Sequence, residues 1–247
     1  MTEGQRRWVV LLAALLVAGV TARLGVWQLD RARQKTALRE AIEQRGALPP
    51  LAAAELPRRA DAVEPVLHRR VRLAGRWAAD RTVYLDNRQM DGRPGFYVVT
   101  PLLLPVEAGG GAVLVQRGWV PRHVQDRSRL PPIDTATGPL AFEGRIALPP
   151  ARLYEFDGQA PGPIRQNLDL SAFARETGLD LAPLSVLQLS VDAAGPGDGL
   201  RRDWPLPAVD VSRHLGYAAQ WFAFSALAIV LYAWFQLLRP RRRRARR

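Results

Sequence analysis

A run of apolar residues from Gly216 to Leu238 dictates what the rest of this chain can be. About 20 such residues at roughly 1.5 Å of rise each suffice to cross a bilayer as a helix. Arg213-His214-Leu215 stands at the entrance of the run, and Arg239, Arg241, Arg242, Arg243, Arg244, Arg246 and Arg247 follow its exit. One segment thus sets a membrane, an orientation and a candidate ligand, since His214 is one of only 3 histidines.

The opposite end of the chain carries a second apolar run. Arg6 and Arg7 precede Trp8 to Ala22, Arg23 interrupts, and Leu24 to Leu29 completes the segment. Two readings compete. A signal peptide has this charged start, this apolar run and small residues such as Val20-Thr21-Ala22 before a cut. An uncleaved anchor puts Arg23 near the outer interface, where its stem snorkels, and Trp27 in the aromatic belt. The anchor is preferred because the amphipathic character continues past the cut. The paired arginines are only a weak twin-arginine signal.

Basic residues flank the outer ends of both segments, so the positive-inside rule places both termini in the cytoplasm. The expected division is a cytoplasmic N-terminus at 1–7, a transmembrane helix at 8–29, a periplasmic β-rich domain at 30–213, a second transmembrane helix at 214–238 and a cytoplasmic tail at 239–247. The expected location is a bacterial inner membrane.

Charge excludes one class of partner. The formal net charge is +12, but the tail supplies seven of those charges and residues 8–238 carry only +4. That distribution holds no basic stripe for nucleic acid. The tail suits anionic lipid headgroups instead. With 0 cysteines there is no disulfide frame, thiolate metal site or cysteine nucleophile. A copper site is not expected either, since the only methionines are Met1 and Met90 and the histidines are scattered. Ser128 and Ser171 lack a His–Asp arrangement, and Walker and dinucleotide fingerprints are absent.

Between the apolar segments, 30–65 reads as a helical extension stopped by Pro49-Pro50 and then an Ala/Pro-rich linker from Leu51. Strand patterns follow at Val66–Trp77, Thr82–Met90, Phe96–Leu104 and Ala112–Val120, with later strands at Leu140–Leu148 and Leu184–Val191. They predict a mainly antiparallel β domain, sheet or small barrel, and the fold class is an α+β membrane protein. Ser171 is a candidate cap for a short helix, Ala172 to Thr177, that Gly178 ends. A Gly/Pro loop, Ala193 to Pro207, leads back to the second apolar segment.

Small residues at spacings of three and four predict that the two membrane helices pair: Ala14, Ala18, Ala22 and Gly25 in the first, Gly216, Ala219, Ala223 and Ala226 in the second. On a helix His214 shares a face with Tyr217, Trp221 and Ser225. A neutral imidazole backed by aromatic rings suits axial ligation of haem iron. It equally suits hydrogen bonding to headgroups or water. His68 and His123 read as surface residues. Asp86-Asn87-Arg88 and Gln116-Arg117-Gly118-Trp119 are polar clusters at strand ends, read either as salt-bridge or turn features or as a partner-docking rim.

Several blocks resemble one family in order along almost the whole chain. Gly25-x-Trp27-Gln28-Leu29-x-Arg31-x-x-x-Lys35 is similar to the opening motif of the Surfeit locus protein 1 family of cytochrome c oxidase assembly factors. Tyr84 to Pro101, with Arg88, Gly92 and Gly95, resembles its next block, and Leu114 to Arg122 its central signature. His214-Leu215-x-Tyr217-Ala218-x-Gln220-Trp221-Phe222 resembles the block that opens its second membrane helix. Departures fall at Gln116 and Ser212, where asparagine is common, and at Arg165-Gln166-Asn167, where a tryptophan is often found.

The resemblance implies a non-enzymatic assembly factor that aids delivery or retention of haem a at oxidase subunit I, with haem a synthase as a further partner. It makes His214 the candidate haem-iron ligand, with Tyr217 and Trp221 beside it and Arg23, Arg31 or Arg213 as candidate partners of the propionates. The alternative is a cofactor-free scaffold that holds subunit I or another assembly partner. A secreted enzyme behind a signal peptide is the third class.

Overall fold

The computed structural model describes residues 2–126, 129–153, 162–189, 197–204 and 211–239, arranged as two compact units. One unit joins Met1–Glu40 to Leu206–Arg247, and the other is Ala41–Pro205.

The first unit is a pair of helices. Helix α1 runs unbroken from Glu3 to Ala47, so the expected helical extension is present and no break falls at residue 29. Helix α3, Val211–Tyr232, continues into a π-helical turn, Ala233–Leu238. Both are long and apolar enough to cross a membrane. Part of the small-residue expectation holds. Ala18 and Gly25 are buried on α1, and a Cβ on Gly25 would lie 2.8 Å from the Phe222 ring. The stripe read on α3 is corrected: Gly216, Ala219, Ala223 and Ala226 are exposed, and nothing lies within 4 Å of a Cβ on Gly216. The buried line on α3 is instead Ala218 and Ser225, flanked by half-buried His214, Trp221 and Ala228. These residues alternate at spacings of four and three, the seam of two helices at a shallow crossing angle. Ser225 Oγ donates to the Ala18 carbonyl at 2.9 Å, which explains why a hydroxyl wins this position over an alanine one turn away.

The second unit is a β barrel with additions. Its strands are β1 (Leu51–Ala52), β2 (Arg70–Trp77), β3 (Val83–Met90), β4 (Arg93–Leu103), β5 (Ala112–Pro121), β6 (Leu140–Ala147), β7 (Ile164–Arg165) and β8 (Leu181–Gln188). The pairing order is β1-β2-β6-β8-β5-β4-β3-β7, and a second contact between β2 and β4 closes five strands into a ring. Strand β2 achieves this by pairing with β6 through Gly75 and then with β4 at Arg76 and Trp77. Five pairings are antiparallel, whereas β5–β8, β1–β2 and β3–β7 are parallel. The β3–β4 hairpin turns on Asp91-Gly92, both with positive φ, as a two-residue turn between right-twisted strands requires.

The core of the ring is aliphatic, built from Val71, Leu73, Leu102, Val113, Val115, Ile146, Leu184 and Val186. The linker reading of Leu51–Pro65 is corrected here. Leu51, Ala53, Leu56 and Val63 all enter this core, so the segment of short helical turns is a wall of the domain. Helix α2, Leu170–Thr177, covers a second cluster of Val83, Leu85, Val99 and Leu114 with its Phe173. Its cap is Asp169, whose Oδ1 accepts from the Ala172 N–H at 2.8 Å, and not Ser171; Gly178 ends it at φ 70°. Much of the expected Ala193–Pro207 loop lies outside the described residues; of the rest, Arg201 bridges Trp119.

Candidate functional site

The site follows from the seam between the two helices. Gln28 lies three residues beyond buried Gly25, and His214 lies four before buried Ala218, so the helical repeat turns both toward the contact. Their side chains meet, with His214 Nδ1 and Gln28 Oε1 2.7 Å apart. With the amide oxygen facing the ring, the neutral imidazole that makes this bond donates from Nδ1 and has Nε2 as its acceptor nitrogen. This is the tautomer a metal-binding imidazole needs, held by a neighbour that fixes the ring's orientation.

The other candidates divide around that contact. Trp221 is half-buried, two turns along α3 from His214, and meets Phe224 edge-on at 5.9 Å. Tyr217 is exposed. Arg31 lies one turn beyond Gln28; its Nη1 donates to Gln34 at 3.1 Å and its guanidinium lies 5.7 Å from the Trp27 ring centroid. Arg213 is exposed beside His214. Arg23 is not brought to the site: five residues before Gln28, it points about 140° away around the helix. Among the described residues of the helix pair His214 is the only histidine and there is no methionine. No group of three or more His, Asp or Glu that could hold a metal ion occurs among the described residues.

Gln28 is the residue that sequence reasoning missed as a site member. Its signal was present: an amide inside an apolar segment, at helical spacing from Gly25 and Ala18, invites a polar partner on the facing helix.

The polar cluster Gln116–Trp119 is interior, which removes its docking-rim reading, whereas in the other cluster Arg88 is buried, Asp86 half-buried and Asn87 exposed. Arg117 is 2% exposed, donates to Thr135 Oγ1 at 2.7 Å and the Asp134 carbonyl at 2.9 Å, and approaches Asp198 at 3.5 Å. Asp198 also pairs with Arg202 at 2.5 Å, and the Arg117 guanidinium lies 4.9 Å from the Trp77 ring centroid. Burial pulls the Arg117 pKa down and the Asp198 charge opposes that shift. Gln116 donates to Ser185 Oγ at 2.9 Å, and Trp119 Nε1 to the Arg88 carbonyl at 2.9 Å. Arg88, also buried, donates to the Gln166 carbonyl at 3.0 Å. These arrangements pair most of the polar groups inside the domain, while the Nε atoms of Arg88, Arg117 and Arg202 have no hydrogen-bond partner among the described residues. His68 and His123 are half-buried; His68 takes φ 70° and its backbone N–H donates to the Ile146 carbonyl.

The chain combines a small β-barrel unit with a pair of helices long and apolar enough to cross a membrane, whose seam holds an imidazole. Residues 15–226 match the SURF1 family, and the chain belongs to it. It is similar to a SURF1-like protein of Rickettsia bellii, 24% identical over 226 residues that cover 90% of this chain and 88% of the relative. Surfeit locus protein 1 of Arabidopsis thaliana is 32% identical over 133 residues, covering 50% of this chain and 36% of the relative. The cytochrome oxidase assembly protein SHY1 of Saccharomyces cerevisiae is 30% identical over 99 residues, covering 39% of this chain and 24% of that protein.

Proposed function

We propose that this chain is an integral-membrane assembly factor for cytochrome c oxidase that holds haem a for subunit I, with His214 Nε2 as an axial ligand. The observation that carries the reading is the 2.7 Å contact of Nδ1 with Gln28, which orients the ring and, with Nδ1 as the donor, turns Nε2 over to a metal. The imidazole fits one axial position of an iron porphyrin, and Arg31 or Arg213 fits the propionates by charge-assisted hydrogen bonds. The family and the name of the yeast relative support oxidase assembly. Haem a synthase is the natural donor and subunit I the acceptor.

In this reading both helices cross the bacterial inner membrane, the termini are cytoplasmic and the β domain is periplasmic. Arginines 6, 7 and 239 at the shared end of the antiparallel pair support that orientation. The chain contains 0 cysteines, so single introduced cysteines at Thr2 and Val106 report the two sides cleanly with a membrane-impermeant thiol reagent.

The test is the visible spectrum of full-length protein made alongside a haem a synthase and purified in detergent. Wild-type protein is expected to carry haem a and His214→Ala to lose it. Gln28→Leu, which removes the bond to Nδ1 and keeps the ligand, is expected to retain haem with affinity lowered about 10–100-fold. Unchanged haem content in His214→Ala sinks the assignment. Stable capture of subunit I by that haem-free variant establishes the cofactor-free scaffold in its place.

A further inference from the structure

A second feature of the helix pair lies at the end opposite His214. Val10, Ala14 and Val17 of α1 face Ala228, Tyr232 and Gln236 of α3 and its π-helical turn across a cleft of about 340 Å³. That volume is at the lower end of small-ligand pockets. The wall is apolar except for the Tyr232 hydroxyl and the Gln236 amide. Small residues hold it open, since Ala14 and Ala228 leave space where larger side chains would meet. Phe235, also in the wall, carries the Arg239 guanidinium 5.7 Å from its ring centroid, which sets a cation at the mouth. Arg6 shares a helix face with Val10 and Val17, at spacings of four and eleven, and adds a second. Glu3 is the only acid near this end, and it pairs with Arg7 at 4.0 Å. Among the described residues neither Arg6 nor Arg239 has an acidic partner.

We infer that this cleft is a binding site for one anionic phospholipid, with an acyl chain between the helices and its phosphate shared by Arg6 and Arg239. The inference rests on the reading that both helices cross the membrane. An apolar cleft open to a bilayer fills with hydrocarbon, and two unpaired arginines at its mouth select the headgroup by charge. Tyr232 and Gln236 sit where the chain gives way to its polar ester linkage. No other group in the wall distinguishes one acyl chain from another, so the selectivity lies in the headgroup.

The test uses the full chain in vesicles of equal phosphatidylglycerol and phosphatidylcholine, extracted in mild detergent and weighed by native mass spectrometry. One retained phospholipid per chain is expected, with phosphatidylglycerol favoured about tenfold by the two charges. The double variant Arg6→Ala with Arg239→Ala keeps a lipid but lowers the preference for phosphatidylglycerol several-fold. Ala228→Phe fills the cleft and removes the adduct; the exposed arginine pair keeps the inference testable should that core change disturb the helices. Equal retention of the two lipids by the wild type, no adduct, or a dimer mass in its place overturns the site. Failure of the chain to float with the vesicles refutes the membrane reading, and the site falls with it. Flotation without preference refutes the site alone.

Discussion

The helix pair and the β domain are held together by different means. In the β domain large side chains vanish from the surface: Trp119, Phe96, Leu85 and Leu102 are at most 1% exposed. Burial of that size from water is the main stabilising force of a folded domain. In the helix pair the buried residues are small or hydroxylated, with Ala18, Thr21, Gly25, Ala218 and Ser225 in the seam, while Leu12, Leu16, Phe224 and Ile229 face outward. Lipid is as apolar as leucine, so taking leucine from lipid into protein gains little. Close approach and polar contacts hold helices there instead. The two units therefore differ in which substitutions they tolerate.

That contrast breaks most visibly at Trp119. Trp119→Ala is expected to cost the β domain about 3–5 kcal/mol through its cavity and the abandoned Arg88 carbonyl. Loss of the near-ultraviolet circular dichroism with helical signal retained would show the two units failing separately. Asp169→Ala sharpens the same picture, since a lost N-cap costs about 1 kcal/mol and α2 covers only one side of the core. Thermal unfolding of the β domain measures it. Within the helix pair Ser225→Ala should cost only about 0.6 kcal/mol in a refolding titration between mild detergent and dodecyl sulfate. A cost comparable to Trp119→Ala would mean that the pair depends on that bond.

The smallest effect is pH dependence at His68. Burial chiefly, then the charges of Arg145 and Arg45, hold its pKa below the ordinary imidazole value of 6.5. The unfolded chain takes up this proton first, so its contribution is fully favourable above 6.5 and declines as pH falls from there toward the folded value. His68→Asn tolerates the positive φ of 70° and should flatten that slope of the unfolding midpoint. An unchanged slope would place the dependence on other groups.

Periodicity made the long elements legible. Apolar length gave both terminal helices, and alternation gave β2 to β6 and β8 to within a few residues. Leu51 to Pro65 reads as a linker because alanine and proline look like one until a wall is known to need them. The closing contact of β2 with β4 left no mark either, since Arg76 and Trp77 read the same whichever strand they pair with. At the candidate site the histidine stood out by rarity. Its partner did not, because the facing stripe on α3 was assigned by counting small residues, whereas the actual seam follows Ala218 and Ser225 at a coiled-coil repeat.

Strand β8 lies between β5 and β6 and is the last to be made of the strands among the described residues. Until Gln188 is available, β5 and β6 each present an open edge to whatever lies nearby. The ring thus closes late, by a strand inserted between two that have been waiting, and its longest exposure to mispairing comes during synthesis. A protein whose family assists the building of another complex has, in its own barrel, a construction step during which it is itself vulnerable.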